Sequence, residues 1–188
     1  MFRDDIEKSL KILNQGGVLL YPTDTIWGIG CDATDSAAIE RVYAIKQRKD
    51  TQSMLSLVDG LDMLALYVSD VPEVAVQLMK KAVKPLSIVY PKARNLAANL
   101  IAANGSIGIR VVQEPFCQQL VKAFGKPIVS TSANISGKPT PATFDEISAD
   151  IKNAVDYTVR WRQDDRQPAK ASSIALLKAD GNVQIIRN

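Results

Sequence analysis

Histidine is absent from all 188 residues. The absence excludes Ser-His-Asp and Cys-His machinery and every zinc site that needs an imidazole. General-base work near neutral pH then falls to a carboxylate, a lysine or the substrate itself. Chemistry that depends on positioning and charge neutralisation gains weight accordingly. Cysteine is scarce: Cys31 and Cys117 lie far apart, form no CxxC, and read as buried thiols rather than a disulfide or a metal pair. No apolar run approaches the roughly 20 residues that span a bilayer. The opening residues Met1-Phe2-Arg3-Asp4-Asp5 carry acids where a signal peptide would not. A cytoplasmic protein with no membrane partner is expected. A dominant charge is missing as well. The 23 basic and 20 acidic residues leave +3, too little to argue for nucleic acid without a local basic face.

What is present suits one folded unit. The length allows one sizeable core and hardly two, and no repeat or linker interrupts it, so a single domain over residues 1–188 is expected. Ile6, Leu10 and Leu13 recur at helical spacing before Gly16-Gly17. Residues 18–21 read as a buried strand stopped by Pro22, and residues 23–34, with Gly28 and Gly30, as a loop. Ile39, Val42, Tyr43 and Ile45 give a second helix from Asp35, with Lys46 and Arg48 at its C-terminal end. Further strands are expected at 54–58, 86–90, 106–112, 127–129 and 155–159, and helices at 60–67, 72–82 and 114–124. Residues 95–103 are weakly helical. Thr143 and Glu146 have capping-box spacing for a helix near 144–152. Residues 173–177 and 183–186 read as hairpin arms around the turn signal Asp180-Gly181. The polar stretch 160–170 reads as a solvated loop. Alternating strands and helices argue for one α/β domain with a mixed sheet.

Two nucleotide fingerprints fail. Gly28-Ile29-Gly30 has two of the three glycines of a dinucleotide motif and follows a long loop. Gly137-Lys138 is followed by Pro139 where a P-loop needs a hydroxyl. Three other segments stand out together. Tyr21-Pro22-Thr23-Asp24-Thr25-Ile26-Trp27-Gly28-Ile29-Gly30 delivers two hydroxyls, a carboxylate and an indole at a strand end. Lys46-Gln47-Arg48 could screen phosphates, or simply suit a helix C-terminus. Ser130-Thr131-Ser132-Ala133-Asn134-Ile135-Ser136-Gly137-Lys138-Pro139 sets three hydroxyls after a short apolar strand, which suits an anionic ligand or a capped turn.

In that order, YPTDTxxGxG, KxR and STSANxSGxP resemble the YrdC-like family, which includes the bacterial threonylcarbamoyl-AMP synthases. The similarity extends through Ile107-Gly108-Ile109-Arg110-Val111 to Ile186-Arg187. It implies an α/β fold with a twisted mixed sheet, flanked by helices, around a positively charged concave face. It also implies condensation of L-threonine, bicarbonate and ATP to threonylcarbamoyl-AMP with release of pyrophosphate. Mg²⁺ would accompany ATP, held by phosphates and water with no protein metal site. Transferase proteins would carry the group to tRNA, and tRNA or double-stranded RNA is a further expected partner.

By the same resemblance Lys46 and Arg48 are the catalytic candidates, beside ATP phosphates or the carbamate. Arg48, Ser132, Asn134, Thr140 and Arg187 would hold ATP. Thr23, Thr25, Ser130, Ser172 and Arg110 would hold threonine. Departures from the family pattern fall at Lys49, Gln52-Ser53, Ala82-Val83-Lys84-Pro85-Leu86-Ser87 (for WPGPLT) and Val112. They keep open a diverged paralogue that binds a nucleotide or double-stranded RNA without making the adenylate. A basic face of Lys46, Arg48, Lys49, Arg110 and Arg187 would carry the RNA reading.

Overall fold

The computed structural model describes residues 2–48, 54–178 and 181–187. The expected departures at Lys49, Gln52 and Ser53 lie outside the described residues, as does Asp180 of the hairpin turn. Helix α1 spans Arg3–Asn14 and leads into β1, Leu19–Tyr21. Then follow β2 (Gly28–Gly30), α2 (Ser36–Ile45), β3 (Leu55–Val58), α3 (Leu61–Tyr67) and α4 (Glu73–Lys81). After β4 (Leu86–Tyr90), a 3-10 turn at Ala98–Leu100 precedes β5 (Ile107–Val111) and α5 (Pro115–Phe124). The chain closes with β6 (Ile128–Ser132), α6 (Ala149–Ala154), β7 (Tyr157–Thr158), β8 (Ser173–Leu177) and β9 (Val183–Arg187).

The strands form one mixed sheet in the order β7-β1-β2-β6-β3-β5-β4-β8-β9. Side-chain alternation divides its two faces. Leu20, Ile29, Val58, Ile109 and Val129 point to the face covered by α2 and α3, whose Ile39, Val42 and Leu64 complete that core. Leu19, Tyr21, Leu57 and Ile128 point the other way, against Leu13 of α1 and Phe116, Leu120 and Val121 of α5. Asp35 caps α2 by accepting from Ala37 and Ala38 N–H, and Glu114 caps α5 through Cys117 N–H with Pro115 in the first turn. Gly125 ends α5 at φ +72°. Among the described residues no helix is long and apolar enough to cross a membrane.

Two expectations are corrected. The loop expected at 23–34 contains β2, paired antiparallel with both β1 and β6. Its glycines reflect crowding rather than looseness: a methyl on Gly30 would lie 1.9 Å from Val129 O and 2.8 Å from the Tyr21 ring. The helix expected at 144–152 starts only at Ala149, with Ser148 as its cap. Glu146 instead accepts the Ala142 N–H at 2.8 Å, which closes a turn before the helix. The stretch 160–170 is the expected loop, anchored at its start: Asp5 accepts from Arg160 N–H and Trp161 N–H, and Trp161 meets Phe2 edge-on at 5.1 Å.

Gly30→Ala should therefore cost about 1–3 kcal/mol of stability by overpacking. Gly60→Ala, where nothing lies within 4 Å of an added methyl, should change little. Urea unfolding of both variants checks the contrast, and equal stabilities would remove the crowding argument.

Candidate active site

The face that carries α1 and α5 is only partly covered. Where Leu19, Tyr21 and Leu57 project, helices pack. Farther along β2 and β6 the same face carries Gly28, Ser130 and Ser132, too small to support a helix. A hollow of about 290 Å³ remains above them. The register sets Arg110 opposite Leu57 and Arg187 opposite Ile174, so both arginines rise from this face. Arg48 and Thr25 enter from the loops after α2 and β1, and Thr140 and Ser172 complete the polar wall. Trp27, Met54, Leu55 and Ile174 supply its apolar part.

Eight of the expected site residues thus line one cavity: Thr25, Arg48, Arg110, Ser130, Ser132, Thr140, Ser172 and Arg187. Three arginines border it, and no carboxylate is among its described lining residues. Arg110 is 3% exposed. Its Nη2 lies 3.0 Å from Asp24 Oδ1, in an ion pair without hydrogen-bond alignment. Its Nε is buried and finds no acceptor among the described residues. A guanidinium buried with a donor unused is costly unless a ligand oxygen completes it. Arg187 Nε donates to Ser172 O at 2.9 Å, and Ser172 Oγ shares a 2.9 Å hydrogen bond with Ser87 Oγ. Burial holds Arg48 below the usual arginine range.

Lys46, Asn134 and Thr23 do not line the hollow. Lys46, the expected phosphate partner, is 1% exposed, and its ammonium lies 3.5 Å from Ser132 Oγ of the wall. Its ammonium donates to Ser132 O at 2.5 Å and Asn134 O at 2.8 Å. The lysine therefore ties the end of α2 to the loop after β6. Burial, and secondarily the charge of Arg48, push its pKa down to about 8. Asn134 Nδ2 donates to Lys138 O, closing the same loop. Thr23 sits beneath Thr25, with 2.9 Å between the two hydroxyl oxygens.

Of the expected basic face, Arg187 is exposed and Arg48 half-buried. Lys46 and Arg110 are buried, and Lys49 lies outside the described residues. The donor set does not suit a metal. Among the described residues no group of three or more His, Cys, Asp or Glu could hold one, so Mg²⁺ arriving with a triphosphate would depend on phosphate and water oxygens. Sequence reasoning quoted Asp24 and Trp27 within a motif but gave them no role. Asp24 acquires one only because folding brings Arg110 beside it.

A family model described as "Telomere recombination", Sua5_yciO_yrdC, matches residues 11–188. Threonylcarbamoyl-AMP synthase of Pseudoalteromonas translucida is 34% identical over 157 residues, covering 82% of this chain and 84% of that protein. The protein of the same name from Escherichia coli (strain K12) is 33% identical over 150 residues, covering 78% of this chain and 79% of its own. Among solved structures, E. coli YciO has a TM-score of 0.84 at 28% identity, covering 98% of this chain and 89% of that one. P. abyssi Sua5 complexed with L-threonine also gives 0.84, at 21% identity, a likeness of fold. It covers 97% of this chain, which spans about half of that longer protein at 53%. The family model spans most of the chain and the curated relatives exceed 30% identity, and the chain belongs to the Sua5/YciO/YrdC family.

Proposed function

We propose that this chain is a threonylcarbamoyl-AMP synthase, an enzyme that condenses L-threonine, bicarbonate and ATP and releases pyrophosphate. The observation that carries the reading is the buried, incompletely paired Arg110 in a hollow bordered by two more arginines, with no carboxylate among its described lining residues. Such a hollow favours an anion. The names of the curated relatives select the reaction.

The threonine amine bonds to the bicarbonate carbon, a C–O bond breaks, and water leaves, giving a carbamate. Its oxygen then bonds to the α-phosphorus while the bond to the β-phosphate oxygen breaks, and the electron pair leaves with pyrophosphate. The protein aligns the two anions and offsets their charge. In this reading Arg110 takes the threonine carboxylate or carbamate, with Thr25, Ser130 and Ser172 around the amino acid. Arg48 and Arg187 face the phosphates, and Ser132 and Thr140 the nucleotide. Lys46 and Asn134 shape the loop after β6, and in this reading Lys46 acts as a positioning residue through Ser132 and Asn134. Mg²⁺ enters with ATP. Transferase proteins acting on tRNA, in the cytoplasm, consume the product.

Pyrophosphate release from ATP and bicarbonate should depend on L-threonine. Nucleotide binding without that dependence would instead support the diverged paralogue. Arg48→Ala should lower the rate at least about 10²-fold while circular dichroism stays unchanged. Arg110→Lys keeps the charge but loses the forked donors, and should raise the KM for threonine more than that for ATP.

Lys46 predicts a pH signature. Its folded pKa, about 8, lies below its unfolded value. Above pH 8 the unfolded chain therefore binds the extra proton, and stability rises with pH. Wild type should gain stability relative to Lys46→Met from pH 8 to about pH 10, by at most about 1.4 kcal/mol per pH unit. A constant difference in urea midpoints across that window would show that Lys46 titrates normally.

A further inference from the structure

We propose that Arg162 is a positioning residue for the amino-acid half of the site, acting through Thr23. The inference deepens the synthase reading and depends on it for the identity of the substrate. Arg162 belongs to the polar stretch that sequence alone leaves as a solvated loop, and it touches none of the hollow. Its guanidinium nonetheless makes three hydrogen bonds. Nη1 donates to Thr23 O at 3.0 Å, while Nε and Nη2 both donate to Asp165 Oδ2 at 3.2 and 2.9 Å. Asp165 is braced in turn by Gln167 N–H on its other oxygen. The backbone holds Arg162 at φ +64°, a left-handed conformation costly for a branched-off Cβ and kept only where surroundings impose it. Those surroundings are on either side: Asp5 grips the two preceding N–H groups, and Asp165 grips the guanidinium.

What Arg162 holds is chemically specific. Thr23 is 2% exposed and its hydroxyl has one proton. Ile26 O, 2.8 Å away, has no proton of its own, so Thr23 must donate there. Thr25 N–H donates to Thr23 Oγ1 at 3.0 Å. The 2.9 Å contact between the two hydroxyls then requires Thr25 to donate to Thr23. Thr25 lines the hollow, and its Oγ1, with its proton committed to Thr23, is left with lone pairs that can only accept. An acceptor at that point suits an N–H or O–H group of the amino acid, and not an oxygen of a phosphate. Arg162 fixes the carbonyl of the residue on which this pattern rests, so its influence falls on the amino acid rather than on the nucleotide.

Arg162→Ala should raise the KM for L-threonine about 10-fold while the KM for ATP stays within about twofold, and Arg162→Lys, which can still reach Thr23 O, should restore part of the loss. Amide hydrogen exchange across residues 22–26, measured without substrate, should accelerate about 10-fold in Arg162→Ala. It should not change in Arg166→Ala, whose ion pair with Asp145 is exposed. An equal rise in both KM values, or unchanged exchange at residues 22–26, would overturn the assignment. Wild type lacking threonine-dependent pyrophosphate release would overturn the synthase reading instead. The exchange measurement needs no substrate and would still decide whether Arg162 holds the loop.

Discussion

Strand β6 bears the constraint on which both the fold and the site depend. It is flanked by β2 and β3, and both pairings are antiparallel. Its alternation puts Val129 into one core and Ile128 into the other, then Ser130 and Ser132 onto the open half of the second face. The approach of β2 is close enough that only glycine fits at residue 30. Tyr21 lies over that glycine and its hydroxyl donates to Val129 O at 3.0 Å. A larger residue at 30 would move β2 and with it the loop that carries Thr25. Packing of the core and shape of the hollow are in this sense one problem, solved along a single strand.

The end of β6 is held by a cation that is itself expensive to bury. An ammonium withdrawn from water needs its donors satisfied. Lys46 meets that need with two backbone carbonyls rather than with a carboxylate. A carboxylate partner would place a negative charge beside a site bordered by three arginines. Carbonyl dipoles anchor the lysine without cancelling its charge, and the positive field of the hollow is preserved. Arg110 is managed differently, through Asp24, yet the pair is offset and leaves Nε unused. The contrast separates a cation used for shape from one kept available for a ligand.

Much of the fold was legible because helical and strand periods report burial directly. The helices α1, α3, α4 and α5 and the strands β3, β4 and β5 lie close to where their apolar spacing and caps put them. The misreadings share a cause. Gly28 and Gly30 look like loop residues unless one knows that another backbone runs against them, and Glu146 fits a capping box until a nearer N–H, that of Ala142, claims it. At the site, residues within recognisable motifs gathered on one wall. Lys46 could be placed near that wall, but only the folded structure shows its ammonium taken up by the carbonyls of Ser132 and Asn134. Asp24 and Arg110 are 86 positions apart, and Arg162 and Thr23 are 139 apart; their pairing follows from sheet order, which local patterns do not encode.

The missing histidine and the three arginines bordering the hollow express the same chemical requirement under the proposed reaction. A carbamate is already anionic when it approaches phosphorus, so the attack needs no base. Pyrophosphate leaves as an anion, so its departure needs no acid as much as it needs neighbouring positive charge. What the site must supply is cationic charge held in place, along with donors and acceptors of fixed sense. Arginine supplies the charge at any physiological pH. The Thr23–Thr25 pair supplies the fixed sense, because one proton already committed to Ile26 O decides which way the next must point. A hydroxyl so constrained can select an N–H or O–H donor without titrating, which is how a site with no imidazole discriminates an amino acid from a phosphate.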